Sequence, residues 1–267
     1  MVSFSRSLAS FERERHMSIN MHSPLQALQQ ASAEDSRAEY FETGLGSTRD
    51  KLRSATRFIG RQETAKILGY AELIQLTNGC AGSIADCGVY FGGGLMNYAT
   101  VLSALEPYNY QCRVIGFDTY SGDAGQSEID LKHGVVDRTK YTYEAESLQD
   151  LRRAAEIYDL DRPLNHLPRI DFVVGDLCDT APDYVRQNPE TIFRIIHLSV
   201  NLYRPTFETI KAFYPRLTRG GILAIHGLNF TVGATQALFD AFAALELQPP
   251  SIRVIDYYPN ITYLIKE

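Results

Sequence analysis

Short apolar runs alternate with stretches of helical periodicity along most of the chain. The runs predict five buried strands, at residues 83–89, 113–118, 170–174, 193–199 and 222–226. Stretches with apolar residues at helical spacing separate them, the clearest at residues 95–105. Strands joined through helices run parallel with right-handed crossovers. The pattern therefore predicts an α/β fold with a mostly parallel sheet and helices on both faces.

The C-terminal segment has a different pattern. Two apolar runs, at residues 251–256 and 261–266, flank a turn of sequence Tyr-Tyr-Pro-Asn. Two strands joined by a short turn pair antiparallel. We expect this hairpin to complete a seven-stranded sheet in which one strand is reversed.

The segments outside this pattern suggest the domain organisation. Residues 1–47 are polar and only weakly periodic, which predicts a partly flexible arm or a segment that clasps a second copy of the chain. Residues 48–267 form the domain, with two helices expected at 48–76. A polar insertion at about 121–168, helical at 143–158, is expected to form a lid or a wall of the substrate site.

Composition narrows the functional classes. The net charge of −6 argues against nucleic acid or an anionic membrane as the main partner. No apolar run approaches the roughly 20 residues that span a bilayer, and no apolar secretion signal is seen near the N-terminus. The four cysteines include no C-x-x-C pair. We therefore expect a cytoplasmic protein with reduced thiols and no zinc site.

A glycine-rich loop follows the first strand, as at the cofactor sites of many α/β proteins. Its glycines are Gly88, Gly92, Gly93 and Gly94, whose spacing differs from the G-x-G-x-x-G of dinucleotide sites. An NAD-dependent oxidoreductase is accordingly the weakest interpretation. Asp118 ends the second strand, where a carboxylate can accept both hydroxyls of a ribose. It could instead cap the turn that follows.

Five segments together resemble the macrocin O-methyltransferase family. They are DCGVYFGG (86–93), GFDTYSG (116–122), GDL (175–177), LYRPT (202–206) and YPRLTRGG (214–221), in the family's order. The resemblance implies a Rossmann-like class I methyltransferase fold and S-adenosyl-L-methionine as methyl donor. It also implies an enzyme that methylates hydroxyls of natural products or their sugars. The cofactor-binding residues it implies are Asp86, Gly88, Tyr90, Gly92, Asp118, Thr119 and Asp176.

Two of these acids have alternative interpretations. Asp86, near the end of the first strand, could hold the ammonium of the donor's methionine part, or it could be a structural acid. Asp176 follows the third strand, where it could accept from the adenine amino group. It could equally be a helix N-cap, in competition with Asp179 or Thr180.

The chain departs from the family at its metal site. The family usually carries two aspartates after the fourth strand and an Asp-Asp pair after the fifth, which bind magnesium. Here the corresponding positions are Ser199, Asn201, His226 and Gly227. Magnesium prefers charged oxygen ligands in octahedral geometry. We therefore expect no metal at this site.

A histidine could supply the proton acceptor instead, because an imidazole with a pKa near neutrality is a suitable general base. His226, at the end of the fifth strand, is the main candidate and His197 is the second. Ser199 shares a strand face with His197 if no bulge intervenes. Ser199, Asn201 and Tyr203 are the candidate substrate contacts. His133 and His166 could reach the site only if the insertion folds over it.

The sequence thus favours metal-independent O-methylation of a natural product or sugar by a homodimer or higher oligomer. Two alternatives stay open. One keeps the cofactor and changes the chemistry to N-methylation, cyclisation or isomerisation. The other is a non-catalytic partner subunit in which the lost acids mark lost activity.

Overall fold

The computed structural model describes residues 24–122, 127–132 and 147–267, apart from the side chains of residues 24–31 and of residue 132. His133 and residues 143–146 of the predicted insertion helix lie outside these ranges. The chain divides into two compact units, one ending at Thr64 and the other comprising Ala65–Glu267. The domain boundary expected after residue 47 stays a prediction.

The first unit contains a helix that the sequence pattern does not predict. Helix α1 (Pro24–Thr43) lies within the segment expected to be an arm. Its Ala, Gln and Glu residues favour a helix even without a clear apolar stripe. Helix α2 (Thr48–Arg53) begins at a capping box, in which Ser47 accepts from the Asp50 amide and Asp50 accepts from the Ser47 amide. A 3-10 turn follows at Ala55–Arg57.

The second unit is built on a seven-stranded sheet. The strands are β1 (Ser83–Cys87), β2 (Val114–Asp118), β3 (Ile170–Val174), β4 (Phe193–Leu198), β5 (Leu217–His226), β6 (Arg253–Val254) and β7 (Ile261–Ile265). Their spatial order is β3-β2-β1-β4-β5-β7-β6. The first five pair in parallel, and β7 pairs antiparallel with both β5 and β6. The predicted mostly parallel sheet with a C-terminal antiparallel hairpin is confirmed.

Helices cover both faces of this sheet. They are α3 (Arg61–Leu76, which begins before the unit boundary), α4 (Gly93–Leu105), α5 (Glu128–Lys132), α6 (Ser147–Leu160), α7 (Leu177–Gln187), α8 (Tyr203–Phe213) and α9 (Val232–Ala244). Apolar residues of α3, α4 and α6 pack on one face, and those of α7, α8 and α9 pack on the other. No helix within the described ranges is both long and apolar enough to cross a membrane.

The fifth strand is longer than its apolar run suggests. It begins at Leu217 rather than at Ile222 and includes Gly220 and Gly221, which the sequence pattern places between elements. A Cβ on Gly221 would lie 2.9 Å from the backbone oxygen of Arg194 on β4. The glycine therefore allows close strand pairing here, and its lack of an apolar side chain hides the strand from periodicity.

The register of the parallel strands aligns the polar residues at one edge of the sheet. Asp86 on β1 pairs with His197 on β4, and His197 pairs with Ala224 on β5. Ser199 and His226 each follow two residues later along their chains. Since side chains alternate between faces, these polar residues share the face covered by α3, α4 and α6.

Candidate active site

The loop between β1 and α4 turns sharply at the carboxyl edge of the sheet. Gly88, Tyr90 and Gly92 adopt φ values of 94°, 53° and 80°, all in the left-handed region. A Cβ on Gly88 would lie 3.1 Å from the carbonyl carbon of Ser199, and one on Gly92 would overlap the Leu151 side chain. The two glycines are thus required by backbone conformation and by close contacts with neighbouring elements.

Asp118 holds this loop to the end of β2. Its carboxylate accepts hydrogen bonds from the backbone amides of Tyr90 and Tyr120, each at 3.1 Å, and the residue is 8% exposed. The hydroxyl of Thr119 donates to the carbonyl of Gly122 at 2.5 Å. Asp118 therefore joins the glycine loop to the following turn, as its alternative interpretation as a turn cap requires. Its contact with a ribose stays a prediction.

Asp176 is the N-cap of α7. Its side chain accepts from the amide of Cys178 at 2.8 Å, which is the structural alternative considered for this acid. The Gly175 amide donates to the carbonyl of Asp118 at 2.9 Å, so the ends of β2 and β3 are adjacent. The predicted adenine contact of Asp176 is not tested by these bonds.

Asp86 and His197 form a buried polar pair beneath the loop. Their closest atoms, Asp86 Oδ1 and His197 Nδ1, are 3.9 Å apart, and the exposed fractions are 1% and 0%. Tyr98 on α4 places its hydroxyl 2.9 Å from the same histidine nitrogen. Burial raises the pKa of Asp86 to about 7 and lowers that of His197 to about 3. His197 is thus neutral, and the two residues do not form an ion pair.

Ser199 and His226 continue this polar face toward the edge of the sheet. Ser199 Oγ lies 3.5 Å from His197 Nε2, so the expected shared face is present. His226 is partly exposed, and burial lowers its pKa, with the positive charge of Lys66 as the second cause. Both histidines are therefore neutral at neutral pH, and His226 is the more accessible proton acceptor. Their catalytic roles stay predictions.

The loops after β4 and β5 meet at Asn201 and Gly227. Asn201 has a φ of 57°, and its buried Oδ1 has no hydrogen-bond partner among the described residues. A Cβ on Gly227 would overlap this oxygen, so only glycine fits there. A buried oxygen that lacks a hydrogen-bond donor is a candidate contact for a hydroxyl group of the substrate.

The hydroxyl of Tyr203 is hydrogen-bonded to a neighbouring helix. It begins α8, and its hydroxyl donates to Asp240 Oδ2 on α9 at 2.9 Å. Its backbone amide donates to Asp130 of α5 at 3.0 Å, so the insertion packs at the start of α8. A substrate contact through the Tyr203 hydroxyl would require this bond to break. His166 is exposed in the segment before β3.

Sequence reasoning missed three side chains of this site: Lys66 and Tyr70 on α3, and Tyr98 on α4. Tyr70 is buried, with its ring 4.4 Å from that of Tyr98 and 5.2 Å from that of His197. Lys66 precedes Tyr70 by one helical turn. A Lys and a Tyr at i, i+4 on the helix before the first strand was the available signal.

The donor atoms at the family's metal position do not suit magnesium. Ser199, Asn201, His226 and Gly227 contribute a hydroxyl, an amide, an imidazole and no side chain, where carboxylates are preferred. Across the described ranges, no group of three or more His, Cys, Asp or Glu side chains could hold a metal ion. The residues present therefore do not fit the magnesium ion of the family.

The strand order and the glycine loop define the fold as Rossmann-like, of the class I methyltransferase type. The sequence model of the macrocin-O-methyltransferase (TylF) family matches residues 6–260. The chain therefore belongs to this family and is an enzyme, an O-methyltransferase. A comparison with curated proteins gave no match.

Solved structures with the same fold include two of CalS11. One, described as a calicheamicin methyltransferase, has 21% identity and a TM-score of 0.84 and covers 99% of this chain and 98% of its own. The apo structure, described as a TDP-rhamnose 3'-O-methyltransferase, has 22% identity, a TM-score of 0.77 and coverages of 91% and 95%. The O-methyltransferase NovP has 17% identity, a TM-score of 0.60 and coverages of 76% and 79%.

Proposed function

We propose that the protein transfers a methyl group from S-adenosylmethionine to a hydroxyl of a sugar or other natural product, without a metal and with His226 as general base. The observation that carries this proposal is the partly exposed, neutral His226 at the end of β5. The sequence aligns it with the family's metal-binding acids, and we propose that it faces the transferred methyl group.

The donor half of the site has features that fit this cofactor. Asp86 Oδ2 is buried and has no hydrogen-bond partner among the described residues, so an ammonium group would satisfy it. Asp118 lies at the end of the adjacent strand, where a ribose would lie. We propose that Gly88, Tyr90 and Gly92 of the loop, with Thr119 and Asp176 beside it, complete the contacts with the nucleoside.

The chemistry of this chain is positioning and proton removal. When bound, S-adenosylmethionine would supply a methyl group activated by a sulfonium. Ser199 and Asn201 orient the acceptor, and His226 takes the proton of its hydroxyl. The acceptor oxygen would receive the methyl group as S-adenosylhomocysteine leaves, and His226 would later lose its proton to water. In-line positioning of the reacting atoms is a large contribution that such a site can make.

The relatives support one class of acceptor. The family is named for macrocin, and the CalS11 apo structure is described as a TDP-rhamnose 3'-O-methyltransferase. We therefore propose a sugar hydroxyl as acceptor, either on a nucleotide sugar or on a glycosylated natural product. Its neutral hydroxyl would meet neutral groups at Ser199, Asn201 and His226.

The test combines binding and turnover. Calorimetry with S-adenosylhomocysteine should show binding, and methyl transfer to a panel of TDP-sugars and glycosylated macrolides should survive EDTA. His226→Ala should lower kcat by roughly 10²- to 10⁴-fold, the range for a general base. The matched control His166→Ala, at an exposed histidine, should behave as wild type. Loss of activity in EDTA that added magnesium restores would refute metal independence.

The same experiment addresses a non-catalytic subunit. The replaced acids are the observation that favours this second candidate. A protein that binds S-adenosylhomocysteine, methylates no acceptor in the panel on its own and copurifies with a relative that retains the acids would support it. Absence of binding would refute O-methylation and also the alternative in which the cofactor supports N-methylation, cyclisation or isomerisation.

A further inference from the structure

Lys66 carries a positive charge into the cofactor side of the site. It lies on α3 and is half-buried, and a Cβ on Gly93 would be 3.5 Å from its Nζ. Within the described part of the chain, Nζ of Lys66 has no hydrogen bond or ion pair. It lies over the Tyr70 ring, 5.9 Å from the ring centroid. A half-buried ammonium without an anionic partner is a candidate binding group.

The buried carboxyl group of Asp86 lies near this cation. Asp86 Oδ2, buried and without a partner, lies 3.1 Å from where a Cβ of Gly94 would be. Lys66 is close enough to Asp86 to lower its pKa against the effect of burial. When Asp86 is ionised, opposite charges therefore flank Gly93 and Gly94, the first two residues of α4. The amides of a helix's first turn have no partners within the helix and attract anions.

A ligand with an ammonium and a carboxylate on one carbon complements this arrangement. Such a zwitterion would place its ammonium at Asp86 and its carboxylate between Lys66 and the first turn of α4. We propose that Lys66 binds the α-carboxylate of the donor's methionine part. This inference rests on the proposed function, since it requires a donor that carries an amino acid.

A different role for the same lysine is an outcome of the test. Lys66 also acts on the pKa of His226, so its charge could serve the acceptor instead of the donor. In that case, loss of the charge would alter turnover and leave donor affinity unchanged. Binding measurements with ligands that differ only in the amino-acid part separate the two roles.

The experiment is calorimetry of the full-length protein with S-adenosylhomocysteine and with 5'-methylthioadenosine, which lacks the amino-acid part. Lys66→Met should weaken S-adenosylhomocysteine binding by roughly 10- to 100-fold, the range for a charge-assisted hydrogen bond. Its affinity for 5'-methylthioadenosine should stay within about twofold of wild type. Lys66→Arg should recover most of the loss, because it restores the charge.

Lys211→Met provides the matched control. Lys211 lies on α8 and pairs with Glu208, and its side chain is 39% exposed, so both ligands should bind the variant as they bind wild type. Equal binding of S-adenosylhomocysteine by Lys66→Met and wild type would overturn the inference, as would equal weakening of both ligands. If wild type bound neither ligand, the result would refute the proposed function itself, and with it the role of Lys66 in binding the donor.

Discussion

Asp86 and His197 are paired in register on neighbouring parallel strands, with 3.9 Å between Asp86 Oδ1 and His197 Nδ1. Burial acts on the two in opposite directions, raising the pKa of Asp86 to about 7 and lowering that of His197 to about 3. The acid is therefore the member of the pair that changes charge near neutral pH. Lys66 and Asp118 are the other charges that act on it.

The first prediction concerns stability. Asp86 ionises near pH 3.8 when unfolded and near pH 7 when folded. Between these values the folded state retains a proton that the unfolded state loses, so stability falls as pH rises toward 7 and then levels off. Asp86→Asn removes this titration. From about pH 5 to about pH 8, wild type should lose about 2–3 kcal/mol relative to the variant.

Denaturant unfolding of both proteins at the two pH values measures this difference. Comparing the change with pH cancels the constant cost of burying an amide at this position. Asp161→Asn, at an exposed aspartate, is the control and should show no such trend. A constant stability difference between Asp86→Asn and wild type would mean that Asp86 does not titrate in this range.

Most of the fold could be predicted because its signal is local. The apolar runs of β1, β2 and β3 end at acids or glycines, and helical periodicity separates the strands. The segments that escaped prediction lack this contrast. Helix α1 has no strong apolar stripe, and the first half of β5 contains Gly220 and Gly221, which pack closely without contributing apolar side chains.

The site residues at the ends of strands could be predicted from the sequence, but the helix residues that pack against them could not. Strand ends identify Asp86, Asp118 and His226, since parallel strands bring their carboxyl ends to one edge. Lys66 and Tyr98 come from helices, and only packing brings them to Asp86 and His197. The bond between Tyr203 and Asp240 also depends on how α8 packs against α9. Apart from the i, i+4 spacing of Lys66 and Tyr70, such contacts leave no pattern in a single sequence.

The second prediction concerns the ribose contact. Asp118→Ala should weaken binding of both S-adenosylhomocysteine and 5'-methylthioadenosine by roughly 10- to 100-fold, because both ligands carry the ribose. Calorimetry with the two ligands measures this, and the pattern differs from that expected for Lys66→Met. The alanine also removes an acceptor from the amides of Tyr90 and Tyr120.

A companion variant separates loss of the ligand contact from loss of the loop bonds. Asp118→Asn keeps one oxygen that can accept from one of the two amides but places an NH2 group against the other, so its thermal unfolding should lie between those of wild type and Asp118→Ala. It should still bind both ligands more weakly, since one acceptor and the charge are gone. Wild-type affinity in a folded Asp118→Ala variant would refute the assignment.

The third prediction concerns the pH dependence of methyl transfer. Burial and the charge of Lys66 lower the pKa of His226 from its ordinary value of 6.5. A general base acts in its neutral form, so with the donor saturating, and Asp86 paired with its ammonium, activity should fall only when the pH drops below this lowered pKa. Under these conditions the acid limb of kcat/KM for the acceptor should lie below pH 6.5, and His226→Asn should remove it along with most of the activity. An acid limb that persists in the residual activity of His226→Asn would assign it to another group.

The fourth prediction concerns Arg194, which is 1% exposed and links three elements at the opposite edge of the sheet. Its guanidinium pairs with Glu106 at 2.8 Å and donates to the carbonyls of Ile74 and Thr77 at 3.1 and 2.9 Å. Arg194→Met leaves these acceptors without a donor. Removing one partner of a buried pair costs about 3 kcal/mol or more, equivalent to a fall in Tm of roughly 6–12 °C.

Thermal unfolding of two further variants shows whether burial of the pair accounts for the stability lost in Arg194→Met. Arg186→Met removes an ion pair with Asp183 whose side chains are 70% and 47% exposed, and it should change stability by less than about 0.5 kcal/mol. Adding Glu106→Gln to Arg194→Met should recover part of the loss, because the unpaired carboxylate is neutralised. Equal effects of Arg194→Met and Arg186→Met would show that the buried network contributes no more than a surface pair.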